Sequence, residues 1–332
     1  MWTRIPMHCA AVALLCLHCM DPARPPGVVD SPELAASELH HEPLLAGPEG
    51  LEPERVARLP AEVVGARFDY TARAGDSLHS VASRFGLEVP VLARANGLEP
   101  DAKLDLGQVL RVANLHIVPE RLDEGILVNV PQRMLFLFRA GKVAAAHPVG
   151  LGRPDWPTPT GTYRVETRER DKIWYVPPSI QEEMRAAGKP VVTRVPPGAE
   201  NPLGGYWLGL TETTCGIHAT LAPTSIYDFR SHGCIRVHLD DMEALFDTAR
   251  IGEEVRIIYR PVLLAEMPDG RILLEAHRDA YGLRDMPIEK VRALVAVQGL
   301  ADAVDWDRVG ALLQNRQGTA LSIGRDAETQ GG

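Results

Sequence analysis

Three residues in the second half of the chain, His218, His232 and Cys234, are of types that support nucleophilic chemistry. A thiol is a strong nucleophile only as its thiolate, and its ordinary pKa of about 8.5 requires a nearby base at neutral pH. An imidazole is the usual base because it titrates near neutrality. His232 lies two residues before Cys234, so an extended segment would point both side chains to one face. Gly233 between them allows close approach of a substrate, and neighbouring N–H groups could hold an oxyanion.

Two other interpretations of these residues stay open at this point. Cys215, His218, His232 and Cys234 are all zinc-ligand types, although H-x-C is an unusual ligand spacing. In an exported chain, Cys215 and Cys234 could instead form a disulfide. Two inert buried cysteines would leave the nearby histidines unexplained.

The segment that carries these residues, 122–260, has the pattern of a strand-rich domain. Ile126, Val128 and Val130 alternate with their neighbours, and an apolar run over 134–138 follows before a turn, which predicts a hairpin. A proline-rich stretch further on predicts loops. Because strands dominate the pattern, we expect a mainly β domain.

A smaller unit precedes it at 67–114, with the order strand, helix, helix, strand. Gly75 begins a turn, and Asp76 or Ser77 can cap the helix that follows. Gly86 is placed to end that helix. Such a short chain can bury only a small core, so its elements must be local.

The N-terminal residues 1–20 have the pattern of a secretory signal peptide. Arg4 precedes a nine-residue apolar run at 9–17, which is too short to span a membrane. A lipoprotein signal needs a small residue before the modified cysteine, whereas Leu15 and His18 precede the candidates. We therefore expect an exported, periplasmic or envelope-associated protein, with membrane contact only through the signal or a lipid anchor.

The remaining segments carry no catalytic pattern. Residues 21–66 contain eight prolines and are predicted to be a linker. Residues 261–332 are predicted to be an accessory region, with a hairpin turn at 268–270, helices, and a frayed tail from Asn315. The net charge of −9 excludes a general nucleic-acid binder.

Residues 67–114 resemble a LysM module. The matching features are Gly75-Asp76-Ser77-Leu78, Val81-Ala82, Asn96 and Leu106-Gly107-Gln108. The resemblance implies binding to glycans that contain N-acetylglucosamine, usually peptidoglycan. In the family the sugar lies between two loops, which correspond here to Gly75, Asp76 and Ser77 on one side and 103–107 on the other.

Residues 122–260 resemble the catalytic domain of the YkuD-family L,D-transpeptidases. The resemblance is closest to the Gram-negative branch that anchors lipoprotein to murein or cross-links it. His218 is followed, fourteen positions later, by His232 within the motif SHGCIR, and "VPPGAENPLGGYWLGLT" resembles the segment before the first histidine. The implied architecture is a mainly β, sandwich-like catalytic domain, a small βααβ LysM domain and a mixed α/β C-terminal region.

The resemblance implies roles at the matching positions. Cys234 would be the nucleophile, and His218 the base, with the Ala219 carbonyl orienting its ring. His232 and Gly233 would help to form the oxyanion and substrate site. Ser231 and Arg236 would shape the pocket, and Arg236 is a candidate for holding a stem-peptide carboxylate. The family usually has glycine where this chain has Ala219, a change that leaves the carbonyl in place.

The implied reaction is acyl transfer through a thioester, with no metal or organic cofactor. The thiolate attacks the diamino-acid carbonyl of a tetrapeptide stem, and D-Ala leaves. The acceptor would be an amine of another stem, a lipoprotein lysine or a D-amino acid, whereas water would give a carboxypeptidase or hydrolase. An inactive cell-wall-binding protein is the alternative outside enzyme chemistry.

Overall fold

The computed structural model of this protein describes residues 62–325. The predicted signal peptide at 1–20 and most of the predicted linker lie outside the described residues. The last part of that linker is a strand rather than free chain, because Val63 and Val64 pair with Ile117 and His116. Between residues 62 and 325, no helix has both the length and the apolar character to cross a membrane.

The bounds of the elements in this range are as follows. The strands are β1 (Val63–Val64), β2 (Arg67–Thr71), β3 (Val109–Ala113), β4 (His116–Ile117), β5 (Gly125–Asn129), β6 (Met134–Arg139), β7 (Lys142–Gly152), β8 (Gly161–Arg170), β9 (Trp174–Tyr175), β10 (Arg194–Val195), β11 (Tyr206–Leu210), β12 (Gly216–Ala219), β13 (Phe229–Ser231), β14 (Ile235–Val237), β15 (Glu254–Ile258), β16 (Val262–Glu266), β17 (Ile272–Ala276) and β18 (Leu321–Ser322). The α-helices are α1 (Leu78–Phe85), α2 (Val89–Ala95), α3 (Pro178–Ala186), α4 (Leu239–Thr248), α5 (Ile288–Val297) and α6 (Trp306–Asn315).

The small unit has the predicted order β2, α1, α2, β3, with the two strands antiparallel. Ser77 caps α1, since its hydroxyl accepts from the Ser80 N–H while Ser80 completes the capping box. Gly86 ends the helix with a φ of 70°, the left-handed conformation that glycine adopts at little cost. One small apolar core between the helices and the strand pair holds the unit together.

The segment 122–260 is mainly β, as predicted, and its sheet closes on itself. Eight strands are hydrogen-bonded in the ring order β7, β14, β12, β11, β8, β15, β5 and β6, and β6 pairs back with β7. The ninth strand, β13, adds to β7 in parallel. This ring is barrel-like, so a sandwich is not the specific arrangement observed. Buried apolar side chains of the ring strands and α4 form the largest core.

The longest strand, β7, connects the body of the sheet with the region around Cys234. Its first half, Lys142 to Pro148, pairs with β6, and Val149 and Gly150 then pair with β14. Its last residues, Leu151 and Gly152, pair with β13. The strands on either side of Cys234 are therefore both hydrogen-bonded to one continuous strand.

The C-terminal region has its own three-stranded sheet, β16–β17–β18, packed with α5 and α6 around a separate core. The predicted hairpin is confirmed, because β16 and β17 pair across the turn at 268–270. The predicted frayed tail from Asn315 is wrong for the described part. Leu321 pairs with Leu274, and Ala320 and Ile323 are buried, so the chain returns to the sheet after α6.

A buried carboxylate, Glu275, joins the three regions. Its oxygens lie 2.8 Å from His116 Nδ1 and 2.9 Å from His277 Nε2, and they accept from the Ile117 N–H at 2.5 Å and from Gln132 Nε2 at 3.0 Å. The other ring nitrogen of His116 lies 3.1 Å from the Gly86 carbonyl at the end of α1. Burial alone would raise the pKa of Glu275, but the charge and hydrogen bonds of the two histidines lower it to about 2.

We expect Glu275→Gln to lower the free energy of unfolding by about 3 kcal/mol, because an amide cannot accept from all these donors and leaves buried groups unpaired. Since the pKa of Glu275 is depressed from 4.5 to about 2, its contribution is full above pH 4.5 and is lost as the pH falls toward 2. Urea unfolding at several pH values measures both effects. The matched control is Glu266→Gln on the same hairpin, where the side chain is exposed. Equal stability of the two variants at neutral pH would contradict this assignment.

Candidate active site

His218 lies on β12, in the middle of the closed sheet. It is opposite Trp207 of the antiparallel neighbour β11 and opposite Arg236 of the parallel neighbour β14. The Trp207 ring stacks on the imidazole with a centroid separation of 5.9 Å and an interplanar angle of 22°. Backbone pairing and ring packing together fix the position of the imidazole.

The protonation of His218 follows from its surroundings. The residue is 5% exposed, and its Nδ1 lies 2.5 Å from the carbonyl oxygen of Ala219, which can only accept. Nδ1 therefore carries the hydrogen, and Nε2 is left as a base. Burial lowers the pKa of His218 to about 4, and the positive charge of Arg236 acts in the same direction. The imidazole is thus neutral, and able to accept a proton, at neutral pH.

The segment before Cys234 is a bend, and the expectation of an extended run with His232 and Cys234 on one face is wrong. Gly233 has a φ of 98°, a left-handed conformation that L-residues avoid. A Cβ at this position would lie 2.9 Å from Cys215 Sγ. The Ser231 hydroxyl closes the bend by donating to the Cys234 carbonyl at 2.5 Å, and Thr158 Oγ1 donates to the Gly233 carbonyl at 2.9 Å.

The Cys234 thiol lies in contact with a second thiol, that of Cys215. The hydrogen bond between them is the largest cause that raises the pKa of Cys234, and burial is the second. A hydrogen bond from the Gly216 N–H acts in the opposite direction. The same hydrogen bond lowers the pKa of Cys215. The two groups titrate as a pair, because the first thiolate is stabilised by the remaining S–H and repels a second negative charge. Both cysteines are free thiols in this structure.

Arg236 follows Cys234 by two residues and supplies positive charge at the site. Its guanidinium has no hydrogen bond or ion pair among residues 62–325, and burial lowers its pKa. Partly buried charges are normally paired. An unpaired guanidinium beside a thiol is therefore suited to receive an anion.

Sequence reasoning missed several side chains that the fold brings to the bend. Glu183 of α3 lies 2.9 Å from His232 Nε2 and also forms an ion pair with Arg153. The ring of Trp156 lies 5.5 Å from that of His232. The prolines of this stretch predict loop, whereas the structure has the helix α3 there, so the sequence carries no signal that places Glu183 near the site. His232 therefore faces α3 rather than the Cys234 thiol.

The C-terminal region also contributes to the site through Tyr281. Its hydroxyl donates to the Gly152 carbonyl at 2.7 Å and accepts from the Thr158 N–H at 3.1 Å. Gly152 in turn donates to Thr158 Oγ1 at 2.9 Å. Tyr281 thus supports the loop that holds Gly233, a contact that no local sequence pattern indicates.

The zinc interpretation does not fit the observed geometry. Cys215 and Cys234 come together, but the side chain of His232 faces Glu183 rather than the two sulfurs. Within the described part of the chain, no three His, Cys, Asp or Glu side chains are grouped so that they could hold a metal ion.

The three residues predicted to contact glycan at the LysM module make local contacts. Asp76 accepts from the Tyr70 hydroxyl and from the Arg73 N–H, both at 2.7 Å, and Ser77 caps α1. Gly75 has open space around it and a φ of 87°. The adjoining open groove, of about 510 Å³, is lined by residues 68–74 together with Leu106 and Gly107. The groove therefore includes Leu106 and Gly107 of the predicted glycan-binding loop 103–107, and it lies beside the other predicted loop, 75–77.

A thiol at the edge of a closed β sheet, a neutral histidine on the strand that pairs with β14, and an arginine without a partner among residues 62–325 define a candidate cysteine acyltransferase. Comparison with known proteins agrees with this class. Residues 123–257 match the L,D-transpeptidase catalytic domain (YkuD), and residues 70–113 match the LysM domain.

Full-length relatives extend the match. The "Probable L,D-transpeptidase ErfK/SrfK" of Salmonella typhimurium is 32% identical over 74% of this chain and 82% of its own length. The "Probable L,D-transpeptidase YbiS" of Escherichia coli K12 is 31% identical over 65% of this chain and 73% of its own length. A solved structure, that of the Ldtfm–avibactam carbamoyl enzyme, is 25% identical, covering 41% of this chain and 49% of that chain with a TM-score of 0.34. The chain belongs to the L,D-transpeptidase family and carries a LysM domain.

We expect Cys215→Ala to lower the pKa of Cys234, because the hydrogen bond with Cys215 is the largest cause of its rise and the charge of Cys215 adds to it. Alkylation by iodoacetamide, mapped by peptide mass over a range of pH, should become several-fold faster at Cys234 near neutral pH. Cys215→Ser is the matched control, since a hydroxyl keeps a hydrogen bond but does not ionise and should give an intermediate profile. An unchanged profile in both variants would contradict coupling between the thiols.

Proposed function

We propose that Cys234 is the nucleophile and His218 the general base of an L,D-transpeptidase that acts on peptidoglycan stem tetrapeptides. The observation that carries this proposal is the buried, neutral imidazole on the strand that pairs with β14. Its Nδ1 is bound to the Ala219 carbonyl, and its Nε2 has no hydrogen bond within residues 62–325. A neutral imidazole can take a thiol proton at neutral pH, which is what a thiol with a raised pKa needs.

The reaction then proceeds in two acyl transfers. His218 Nε2 accepts the Cys234 proton as the sulfur attacks the carbonyl of the diamino-acid residue, and N–H groups of the bend at 232–234 stabilise the oxyanion. The bond to the terminal D-Ala breaks, and the imidazolium returns the proton to the leaving amine. An acceptor amine then attacks the thioester and releases Cys234. The free guanidinium of Arg236 is suited to the donor's terminal carboxylate.

The domain boundaries and location belong to the same proposal. Residues 67–114 bind glycan strands, 122–260 carry the reaction, and 261–332 form an accessory region that supports the site through Tyr281. A signal peptide at 1–20 exports the protein to the cell envelope, and the part of the predicted linker that precedes β1 gives the domains reach. The acceptor is an amine, either of a second stem peptide or of a lipoprotein lysine.

Purified protein incubated with a disaccharide-tetrapeptide should release D-Ala, and Cys234→Ala should abolish the release because no thioester can form. Chromatography of free D-Ala under reducing conditions measures the first step. Equal release by Cys234→Ala, or no release by the wild-type protein, would contradict the proposal. Product mass distinguishes transfer from hydrolysis, since only transfer gives a joined species.

The pH dependence of acylation gives an independent test. Because burial lowers the pKa of His218 to about 4, the base stays neutral above that value and becomes protonated as the pH falls through it. Intact-protein mass measures the rate at which a carbapenem acylates Cys234. This rate should fall as the pH is lowered, with a midpoint near pH 4. A midpoint near the ordinary imidazole value of 6.5 would contradict a buried neutral base. Circular dichroism at each pH verifies that the protein stays folded.

A further inference from the structure

The helix α3 is attached to the site mainly by one carboxylate. None of its residues is buried, and no side chain caps its first turn. Glu183 supplies the attachment, with one oxygen accepting from Arg153 and the other lying 2.9 Å from His232 Nε2. The hydrogen bond from Arg153, followed by that from His232, lowers the pKa of Glu183, so the group is a carboxylate at neutral pH.

The two partners of Glu183 are built into the bend that holds Cys234. The backbone N–H of Arg153 donates to the Ser231 carbonyl at 3.0 Å, and Arg153 Nε binds Asp155 at 2.8 and 2.9 Å. His232 lies two residues before Cys234, with Trp156 packed near its ring. Both groups are therefore held by the framework of the site, whereas α3 is not.

Breaking the bonds between Glu183 and its two partners costs little free energy. The side chains of Arg153, His232 and Glu183 are 29%, 22% and 41% exposed, so water can replace each bond. Ion pairs with this exposure contribute little net stability. A carboxylate from another molecule could take the same position, since a guanidinium and an imidazole N–H recognise any carboxylate in the same way.

We propose that Arg153 and His232 form a second carboxylate subsite for the donor stem peptide, which Glu183 occupies when no donor is bound. This inference rests on the proposed function. Arg236, two residues after Cys234, would receive the terminal carboxylate. The subsite at Arg153 then takes another carboxylate of the stem peptide, that of its glutamate residue or that of the diamino-acid side chain. Entry of the donor displaces Glu183 and releases α3 from the bend.

The competing role for Glu183 is permanent orientation of His232. A group that only orients a ring is expected to be well buried, whereas Glu183 is exposed and binds Arg153 as well. The two roles predict opposite kinetic effects. Removing a competitor of the donor lowers KM and leaves kcat unchanged, whereas removing an orienting group lowers kcat.

Steady-state D-Ala release by the full chain tests the subsite. Glu183→Gln should lower KM several-fold at unchanged kcat, and Arg153→Gln should raise KM about tenfold, as expected for loss of one charge-assisted hydrogen bond. The matched controls are Glu182→Gln and Arg185→Gln, the same charge changes at exposed positions of α3. Both controls should leave KM unchanged.

Donors amidated at the glutamate or at the diamino-acid carboxylate complete the test. One of them should bind about tenfold more weakly than the free acid, and Arg153→Gln should remove that difference. Equal KM increases for free and amidated donors, or a fall in kcat in Glu183→Gln, would overturn the subsite. Calorimetry of donor binding to Cys234→Ala compares the affinities of the free and amidated donors without turnover. If the wild-type protein releases no D-Ala but Cys234→Ala still binds the free donor more tightly than the amidated donor, only the proposed reaction is refuted and the subsite stands.

Discussion

The parallel pairing of β12 with β14 is the constraint on which the site depends. It places His218 opposite Arg236 and Ile217 opposite Ile235, and Cys234 immediately precedes β14. Backbone hydrogen bonds, rather than flexible side chains, therefore fix the base relative to the nucleophile's strand. Because these strands belong to a ring with a close-packed apolar core, a small shift of one strand would disturb its neighbours as well.

Burial then gives the functional groups their protonation states. His218 is kept neutral because an imidazolium would lose its hydration inside the sheet. The hydrogen bond with Cys215 and burial both raise the pKa of the Cys234 thiol, so the proposed chemistry needs His218 to accept the thiol proton. Proton transfer would then accompany attack on the substrate. The bend at Gly233 allows this arrangement, since a side chain there would collide with Cys215.

Polar contacts from both flanking regions hold the catalytic domain. Glu275 links the C-terminal sheet to His116 and, through it, to the end of α1 at Gly86. From the same C-terminal region, the Tyr281 hydroxyl accepts from the Thr158 N–H, and Thr158 in turn donates to the Gly233 carbonyl. The LysM helix also contacts the catalytic domain directly, with His79 Nε2 3.0 Å from the Thr224 carbonyl. The LysM domain and the catalytic domain are thus joined by direct polar contacts.

The sequence by itself determined the class of protein, because short motifs carry it: His218, the SHGCIR run and the LysM turn at 75–77 are local patterns of residue types. It also determined the local elements, since capping by Ser77, the stop at Gly86 and the hairpin at 268–270 depend on neighbouring residues. Only the tertiary structure decided that Cys215 contacts Cys234, that His232 turns toward Glu183, and that Tyr281 reaches Gly152. These contacts join residues far apart in the chain, and their positions follow from how the sheet closes and the bend forms. No spacing in the sequence encodes those distances, because they arise from packing of the whole chain.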